Sequence, residues 1–209
     1  MEIIWYGLSC FRLKERKHAT IVTDPYANKV GLSAPKIRGD VVTISHNAPG
    51  HNAATAVTGA EHILTGPGEY EIGNVFITGA TTASKKSPDK NVLFTFDYDG
   101  LTVAHLGDMQ TVPSQSQIET LEMVSILLVP VGGGNSLNAA QAAEVVSMLE
   151  PNIVIPMHYQ IPGLKIDLDP IDRFLNEMGV TDIEEETSLK ISMSSLPEET
   201  ETVLLTPKL

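Results

Sequence analysis

The chain has 209 residues, of which 42% are hydrophobic, so it is long enough to bury a substantial core. Its formal net charge is −12, with 14 basic against 26 acidic residues, and this balance disfavours nucleic-acid binding because such surfaces gather Lys and Arg. The single cysteine, Cys10, excludes an intramolecular disulfide and a zinc site built from several cysteines.

We expect a cytoplasmic protein that does not enter a membrane. No apolar run approaches the roughly 20 residues of a membrane-spanning helix. The first residues, Met-Glu-Ile-Ile, lack the basic and apolar pattern of a secretory leader. Because no linker or repeat divides the chain, residues 1–209 are predicted to form a single domain. Whether chains associate as a homo-oligomer stays open.

The N-terminal half of the chain is predicted to be rich in short β-strands. These segments combine β-branched and aromatic residues and are separated by Gly, Pro, Asn and charged turns. Val41–Ser45 is almost purely apolar, which is typical of a strand buried on both faces. The predicted strands are Glu2–Tyr6, Cys10–Leu13, Thr20–Asp24, Val41–Ser45, Glu61–Leu64, Tyr70–Ile72, Val75–Thr78, and a hairpin of Asn91–Tyr98 and Leu101–His105 that turns at Asp99-Gly100.

The second half of the chain alternates helices and strands. Asn138–Glu150 has the clearest helical pattern, since Asn138 and Gln141 stand at capping-box spacing and apolar residues recur on one face. The predicted order is helix Ser114–Leu121, strand Ile126–Val131, helix Asn138–Glu150, strand Ile153–Met157, helix Asp169–Met178 capped by its Asp, and strands Leu189–Met193 and Thr202–Leu205. This order predicts an α+β fold, an αββα sandwich of two mixed β-sheets packed face to face with helices outside.

Polar side chains that suit a metal site follow several of these strands. His46, His105 and His158 each end or follow an apolar strand, and His51 and Asp108 lie in the same loops. Because functional groups collect at the carboxyl ends of strands, we expect these side chains to converge. Imidazole and carboxylate are suitable ligands for zinc, iron, manganese or nickel. For each histidine alone, the alternative is a structural residue bonded to the backbone.

Seven short motifs occur in a fixed order along almost the whole chain. They are Gly7–Leu13, Thr23–Pro25, Ser45–Asn52, Gly66–Glu71, His105–Asp108, Val129–Gly134 and Ile155–Tyr159. In order and spacing they resemble the metallo-β-lactamase superfamily, and within it the small bacterial Zn-dependent hydrolase-like proteins of unknown substrate. The resemblance implies the αββα fold and a water activated by a metal ion, which attacks an ester, amide or phosphoester.

The resemblance also implies two metal positions, and the first has lost most of its ligands. Where the family has the motif His-x-His-x-Asp-His, His46 and His51 match, but Ala48 and Gly50 replace a histidine and the aspartate. A further histidine is expected in the loop 78–86, which contains none, and Ser84 is the best candidate for that place. Two other positions depart from the relatives: Leu8 stands where they have histidine, and Asn138 stands where they have aspartate.

The second metal position keeps three ligands, which the resemblance identifies as His51, Asp108 and His158. Three protein ligands plus water is the usual arrangement of catalytic zinc. We therefore expect at most one metal ion, zinc or else iron, manganese or nickel, with His46 as a neighbouring donor and with Asp108 and His105 as catalytic candidates. Three functions remain open: a hydrolase acting on an unidentified small molecule, a catalytically inactive module that binds a ligand or a protein with or without metal, and a purely structural protein that self-associates.

Overall fold

The computed structural model describes residues 1–82, 90–121 and 123–209. The strands are β1 (Glu2–Trp5), β2 (Phe11–Lys14), β3 (Ile21–Thr23), β4 (Ile37–Arg38), β5 (Val41–Thr43), β6 (Val57–Thr58), β7 (His62–Leu64), β8 (Gly68–Ile72), β9 (Val75–Thr82), β10 (Asn91–Tyr98), β11 (Leu101–His105), β12 (Ile126–Pro130), β13 (Ile153–Met157), β14 (Glu185–Glu186), β15 (Leu189–Lys190), β16 (Glu201–Thr202) and β17 (Leu204–Leu205). The helices are α1 (Gln115–Thr120), α2 (Ala139–Leu149) and α3 (Asp172–Glu177), with 3-10 turns at Asn28–Val30, Ala54–Ala56 and Met193–Ser195.

Two mixed β-sheets form the sandwich, as predicted. The first has six strands in the order β15-β1-β2-β3-β5-β7, and the second has seven in the order β16-β13-β12-β11-β10-β9-β8. Parallel pairing joins β3, β5 and β7 in the first sheet and β11, β12, β13 and β16 in the second. Contacts such as Phe11 on β2 against His105 on β11, with ring centroids 6.3 Å apart, connect the two sheets.

The core lies between the sheets and contains the largest apolar side chains. Trp5, Phe11, Phe94 and Phe96 are fully buried, and burial of each such side chain stabilises the fold by roughly 1.5–3 kcal/mol. Every residue of β5 is buried, which confirms the prediction of a strand covered on both faces. These buried strands form the rigid frame that holds the loops at their ends.

The predicted hairpin and the predicted cap of α2 are present. Asp99 and Gly100, between β10 and β11, have φ of +53° and +94°, as a type I′ turn requires. Asn138 Oδ1 accepts a hydrogen bond from the backbone nitrogen of Gln141 at 3.0 Å, and Gln141 Oε1 accepts one from the backbone nitrogen of Asn138 at 3.1 Å. Asn138 therefore caps α2. Among the helices of the described residues, none has the length and apolar character that crossing a membrane requires.

The prediction of a helix over Asp169–Met178 with an aspartate cap is wrong at its N-terminus. The helix begins at Asp172, and Ile171 occupies the cap position without a side-chain hydrogen bond. The backbone nitrogen of Asp169 instead donates to Gly132 O at 2.8 Å, and its carboxylate pairs with Arg173 at 2.7 Å. Tertiary hydrogen bonding to the loop after β12 therefore withdraws Asp169 from the helix.

The C-terminal strands are shorter than predicted, because β15, β16 and β17 each pair with a different strand. β15 ends at Lys190, and a 3-10 turn begins at Met193, so the predicted strand Leu189–Met193 is wrong beyond its first two residues. The predicted strand Thr202–Leu205 is divided, since β16 pairs with β13 and β17 pairs with β14. Val203 stands between them and donates its backbone hydrogen to Val154 at 2.9 Å.

Candidate metal centre

Four loops meet at one end of the sandwich, each following a buried strand. Asp24 follows β3, His46 and His51 lie after β5, Asp108 lies after β11, and His158 follows β13 directly. The three histidines and Asp108 line a cavity of about 850 Å³. The structure therefore brings together four residues from three loops, up to 112 positions apart along the chain (46 to 158).

Asp108 lies at the centre of this cluster. Its Oδ2 atom is 3.3 Å from His51 Nε2 and 3.6 Å from His46 Nε2, and its Oδ1 atom is 3.0 Å from His158 Nδ1. One donor atom from each of His46, His51 and Asp108 lies within 4.8 Å of the other two. Ligand atoms bound to a tetrahedral cation at about 2 Å lie about 3.3 Å apart. Small side-chain movements would therefore close these donors around one ion.

Buried hydrogen bonds hold both imidazoles of the loop after β5 in one orientation. A carboxylate only accepts hydrogen bonds, so the 2.8 Å contact makes His51 Nδ1 the donor to Asp24 Oδ2. The Ser45 hydroxyl also donates to Asp24, at 2.6 Å, and its oxygen is then left to accept from His46 Nδ1 at 3.1 Å. Both histidines therefore turn Nε2 towards Asp108, as metal-ligating histidines with fixed tautomers do.

The backbone before Asp108 is held as firmly as the histidines. Asn91 Oδ1 accepts from the backbone nitrogen of Asp108 at 2.8 Å, and Asn91 Nδ2 donates to Leu106 O at 2.9 Å. Gly107 has φ of +58°, and a Cβ atom there would collide with Asn91 Oδ1 and lie 2.5 Å from Ser45 Cβ. Only glycine suits this position, because it meets both the left-handed backbone and the close approach of the two loops.

The charges of the cluster are strongly coupled. Burial disfavours the charged imidazolium of His51, but Asp108 and Asp24 outweigh this effect and raise the pKa of His51 to about 10. Burial likewise opposes ionisation of Asp108, yet the surrounding His158 and His51 hold the pKa of Asp108 well below its usual range. Burial and the charge of His51 lower the pKa of His46, which leaves that imidazole neutral near pH 7. In the metal-free protein, therefore, His51 is protonated near pH 7, and the proton on its Nε2 atom lies between His51 and Asp108.

The residues present fit one metal ion. Asp108 Oδ1 and His158 Nδ1 are both buried and face each other at 3.0 Å, although among the described residues neither makes an aligned hydrogen bond. A cation at this place would be coordinated by a carboxylate and by two or three imidazoles, which is a suitable donor set for zinc.

His105, predicted as a catalytic candidate, lies apart from the cavity. Its Nε2 atom donates to Ser9 O at 2.9 Å, and its Nδ1 atom accepts from the backbone nitrogen of Gly107 at 3.2 Å. Burial lowers the pKa of His105, in keeping with this neutral, doubly bonded ring. His105 is not among the described residues that line the cavity, and its contacts connect Ser9 to the loop that carries Asp108.

The residues that replace ligands of the first metal position offer no side-chain donor, so His46 is the ligand retained there among the described residues. Ala48 and Gly50 line the cavity, and Leu8 is fully buried beside Gly50. The predicted loop 78–86 is wrong in part, because β9 continues to Thr82 through its pairing with β10. Ser84, the candidate for the missing histidine's place, lies outside the described residues.

Sequence reasoning missed three residues that orient the centre. Asp24 carries the same signal as the histidines, a polar side chain at the end of the predicted strand Thr20–Asp24, but it is not among the predicted ligands. Ser45 and Asn91 had no local signal, because their roles depend on contacts with Asp24 and Asp108 across the fold. Cys10, by contrast, is fully buried, and burial raises the pKa of its thiol well above its usual range.

Comparison with known proteins places this geometry in a family. Residues 2–158 match the family model described as a beta-lactamase superfamily domain. A UPF0173 protein of Pyrococcus abyssi is 30% identical over 184 residues, covering 78% of this chain and 85% of that protein. A UPF0173 metal-dependent hydrolase of Thermoplasma acidophilum is 29% identical over 204 residues, covering 83% of this chain and 89% of the relative.

A solved structure shares the whole architecture. It comes from Thermotoga maritima and is described as a Zn-dependent hydrolase of the metallo-β-lactamase superfamily. Its TM-score is 0.82 at 34% identity, and the match covers 98% of this chain and 97% of the other. These likenesses, together with the site described above, support the assignment of the fold and of a metal-dependent hydrolase family.

Proposed function

The chain belongs to the metallo-β-lactamase superfamily, and we propose that it is a hydrolase that works with a single metal ion, preferably zinc. His46, His51, Asp108 and His158 would hold the ion. When bound, such an ion lowers the pKa of a water molecule towards about 7 and polarises the bond to be cleaved. The substrate would be an ester, amide or phosphoester that enters the cavity of about 850 Å³.

The observation that carries this proposal is the convergence of three imidazoles on the buried carboxylate of Asp108. His158 Nδ1, His51 Nε2 and His46 Nε2 lie 3.0, 3.3 and 3.6 Å from its oxygens. Imidazole nitrogens around one carboxylate are a suitable donor set for a single cation.

The chain's own residues prepare the site for chemistry. Asp24 holds the proton on His51 Nδ1, so Nε2 remains the coordinating atom. Ser45 does the same for His46. Asn91 fixes the backbone of Asp108, so the carboxylate stays between the imidazoles. The buried position of these groups excludes bulk water from their hydrogen bonds, which strengthens each of them.

A second function, a catalytically inactive binding module, is favoured by one observation. Gly50 and Ala48 stand in the cavity where the family has an aspartate and a histidine, so this chain lacks the carboxylate that elsewhere helps to hold the attacking water. The two functions differ in turnover but share the cavity.

Metal analysis tests the proposed function. We expect the purified protein, loaded separately with zinc, manganese, iron and nickel, to retain close to one ion per chain. His158→Ala should reduce that content, while His62→Ala, an exposed histidine on β7, should not. A content far below one for every metal, or equal content in His158→Ala, would refute the ligand assignment. If metal is retained, turnover on a panel of esters, amides and phosphodiesters separates the hydrolase from the binding module.

A further inference from the structure

The cavity above the metal centre has two lysines on its rim and an apolar corner beneath them. We propose, on the basis of the proposed function, that its substrate is an amphiphilic anion. In this assignment Lys29 and Lys165 bind a carboxylate or phosphate group, and an apolar group of the substrate packs against Val30 and Ile166 beside Gly50. All five residues line the same cavity as the metal centre.

The two lysines are free to bind an anion. Both are exposed, and within residues 1–82, 90–121 and 123–209 no carboxylate forms an ion pair with either one. Asp167 also lines the cavity, and no ion pair within the described ranges joins it to either lysine. The chain has only 14 basic residues and a net charge of −12, so two lysines that line one cavity concentrate positive charge where an anion could bind.

Backbone contacts hold the two lysine-bearing loops against each other. The backbone nitrogen of Lys165 donates to Val30 O at 2.9 Å. A Cβ atom on Gly31 would collide with Gly163 O and lie 2.8 Å from Lys165 Cγ, so the stem of Lys165 lies directly on the Gly31 backbone. This packing directs the start of the side chain and reduces the entropy that binding an anion would cost.

The corner around Gly50 is lined by hydrocarbon. A Cβ atom at Gly50 would lie 3.5 Å from Leu8 Cδ1, 3.8 Å from Ile166 Cδ1 and 3.9 Å from Val30 Cγ1. These are ordinary contact distances, so the space accepts carbon atoms. A carboxylate or second ion placed there would be desolvated without polar partners, whereas an apolar group would gain contacts.

The two loops repeat one arrangement, a lysine followed by an aliphatic residue: Lys29-Val30 and Lys165-Ile166. Because the backbone hydrogen bond joins them, cations and hydrocarbon stand side by side along one wall of the cavity. A ligand that carries a charged group next to an aliphatic chain matches this wall. A wholly polar or a wholly apolar ligand would use only half of it.

Calorimetric titration with three probes tests the proposal. Hexanesulfonate carries both groups, methanesulfonate only the anion and 1-hexanol only the chain, and sulfonates are weak metal ligands. We expect hexanesulfonate to bind at least about tenfold more tightly than either other probe. Against methanesulfonate, a tenfold difference corresponds to the burial of one or two methylenes. Against 1-hexanol, it corresponds to two exposed ion pairs. Equal binding of 1-hexanol would overturn the anion assignment, and equal binding of methanesulfonate would overturn the apolar one.

Variants locate the binding site. The double variant Lys29→Gln, Lys165→Gln should weaken hexanesulfonate about tenfold and leave 1-hexanol unchanged, while Lys190→Gln, an exposed lysine on β15, should change neither. Ile166→Asn should weaken hexanesulfonate and leave methanesulfonate unchanged, with circular dichroism as a check on folding. If the double variant binds hexanesulfonate like the parent, the proposal is wrong. Metal content measured on the same samples reports separately on the proposed function.

Discussion

Metal binding at this centre should displace one proton from His51. Its Nε2 atom faces Asp108 at 3.3 Å, and the two flanking carboxylates raise the pKa of His51 to about 10. His46 contributes no proton near neutral pH, since its pKa is lowered. A metal ion and the proton compete for the same lone pair, so apparent affinity should rise about tenfold per pH unit between roughly pH 6.5 and 10.

The size of this effect follows from the distance between pH 7 and the pKa. About three pH units separate them, so protonation should weaken zinc binding at pH 7 by about 10³-fold, or about 4 kcal/mol. The same raised pKa stabilises the metal-free fold below about pH 6.5, and that contribution should be lost as the pH rises through 10. Stability of the metal-free protein and metal affinity should therefore change in opposite directions with pH.

Isothermal titration calorimetry in buffers of different ionisation enthalpy measures the proton count directly. We expect close to one proton released per zinc bound at pH 7 and 8. Asp24→Asn removes one of the two carboxylates, so it should lower the pKa of His51 and move the pH dependence towards lower pH. Affinity that does not change with pH, with no proton release, would show that His51 is not a protonated ligand and would refute this reasoning.

Three further outcomes follow from the same structure. Asp24→Asn should also weaken the intrinsic affinity for zinc, corrected for the smaller proton competition at His51, about 10–100-fold without unfolding the protein. A chelator competition series over pH that finds the same intrinsic affinity would contradict the role of its hydrogen bond to His51. Gly107→Ala should destabilise the fold by more than about 2 kcal/mol, because alanine disfavours this backbone conformation and its Cβ atom would collide with Asn91. Urea unfolding measures this free energy, and an unchanged value would contradict the close approach of these loops. Phe94→Ala, fully buried between the sheets, should cost about 3–5 kcal/mol in the same assay while leaving metal stoichiometry unchanged; a loss below 1 kcal/mol would contradict its burial.

Much of the fold could be predicted because its signals are local. The strands of the first sheet are short apolar runs, and α2 carries its own capping residues, Asn138 and Gln141, three positions apart. Asp99-Gly100 specifies its hairpin turn through backbone preferences alone. Each of these features depends on only a few neighbouring residues, so it can be predicted from a short stretch of the sequence.

The predictions that were wrong depended on distant partners. Asp169 has the residue type of a helix cap, but its backbone hydrogen bonds to Gly132, 37 positions earlier, and the helix begins after it. The segment around Leu204 divides between two sheets because β13 and β14 lie in different places. Local propensity is weak beside tertiary hydrogen bonds, which override it.

By itself the sequence determined which residues could bind a metal, because imidazole and carboxylate groups at the ends of apolar strands are visible in any one stretch of chain. Only the tertiary structure decided their roles. It brought His46, His51 and His158 around Asp108 and bonded His105 to backbone groups instead. The physical reason is that coordination and proton position depend on distances of about 3 Å between loops, and those distances are set by the packing of two sheets rather than by spacing along the chain.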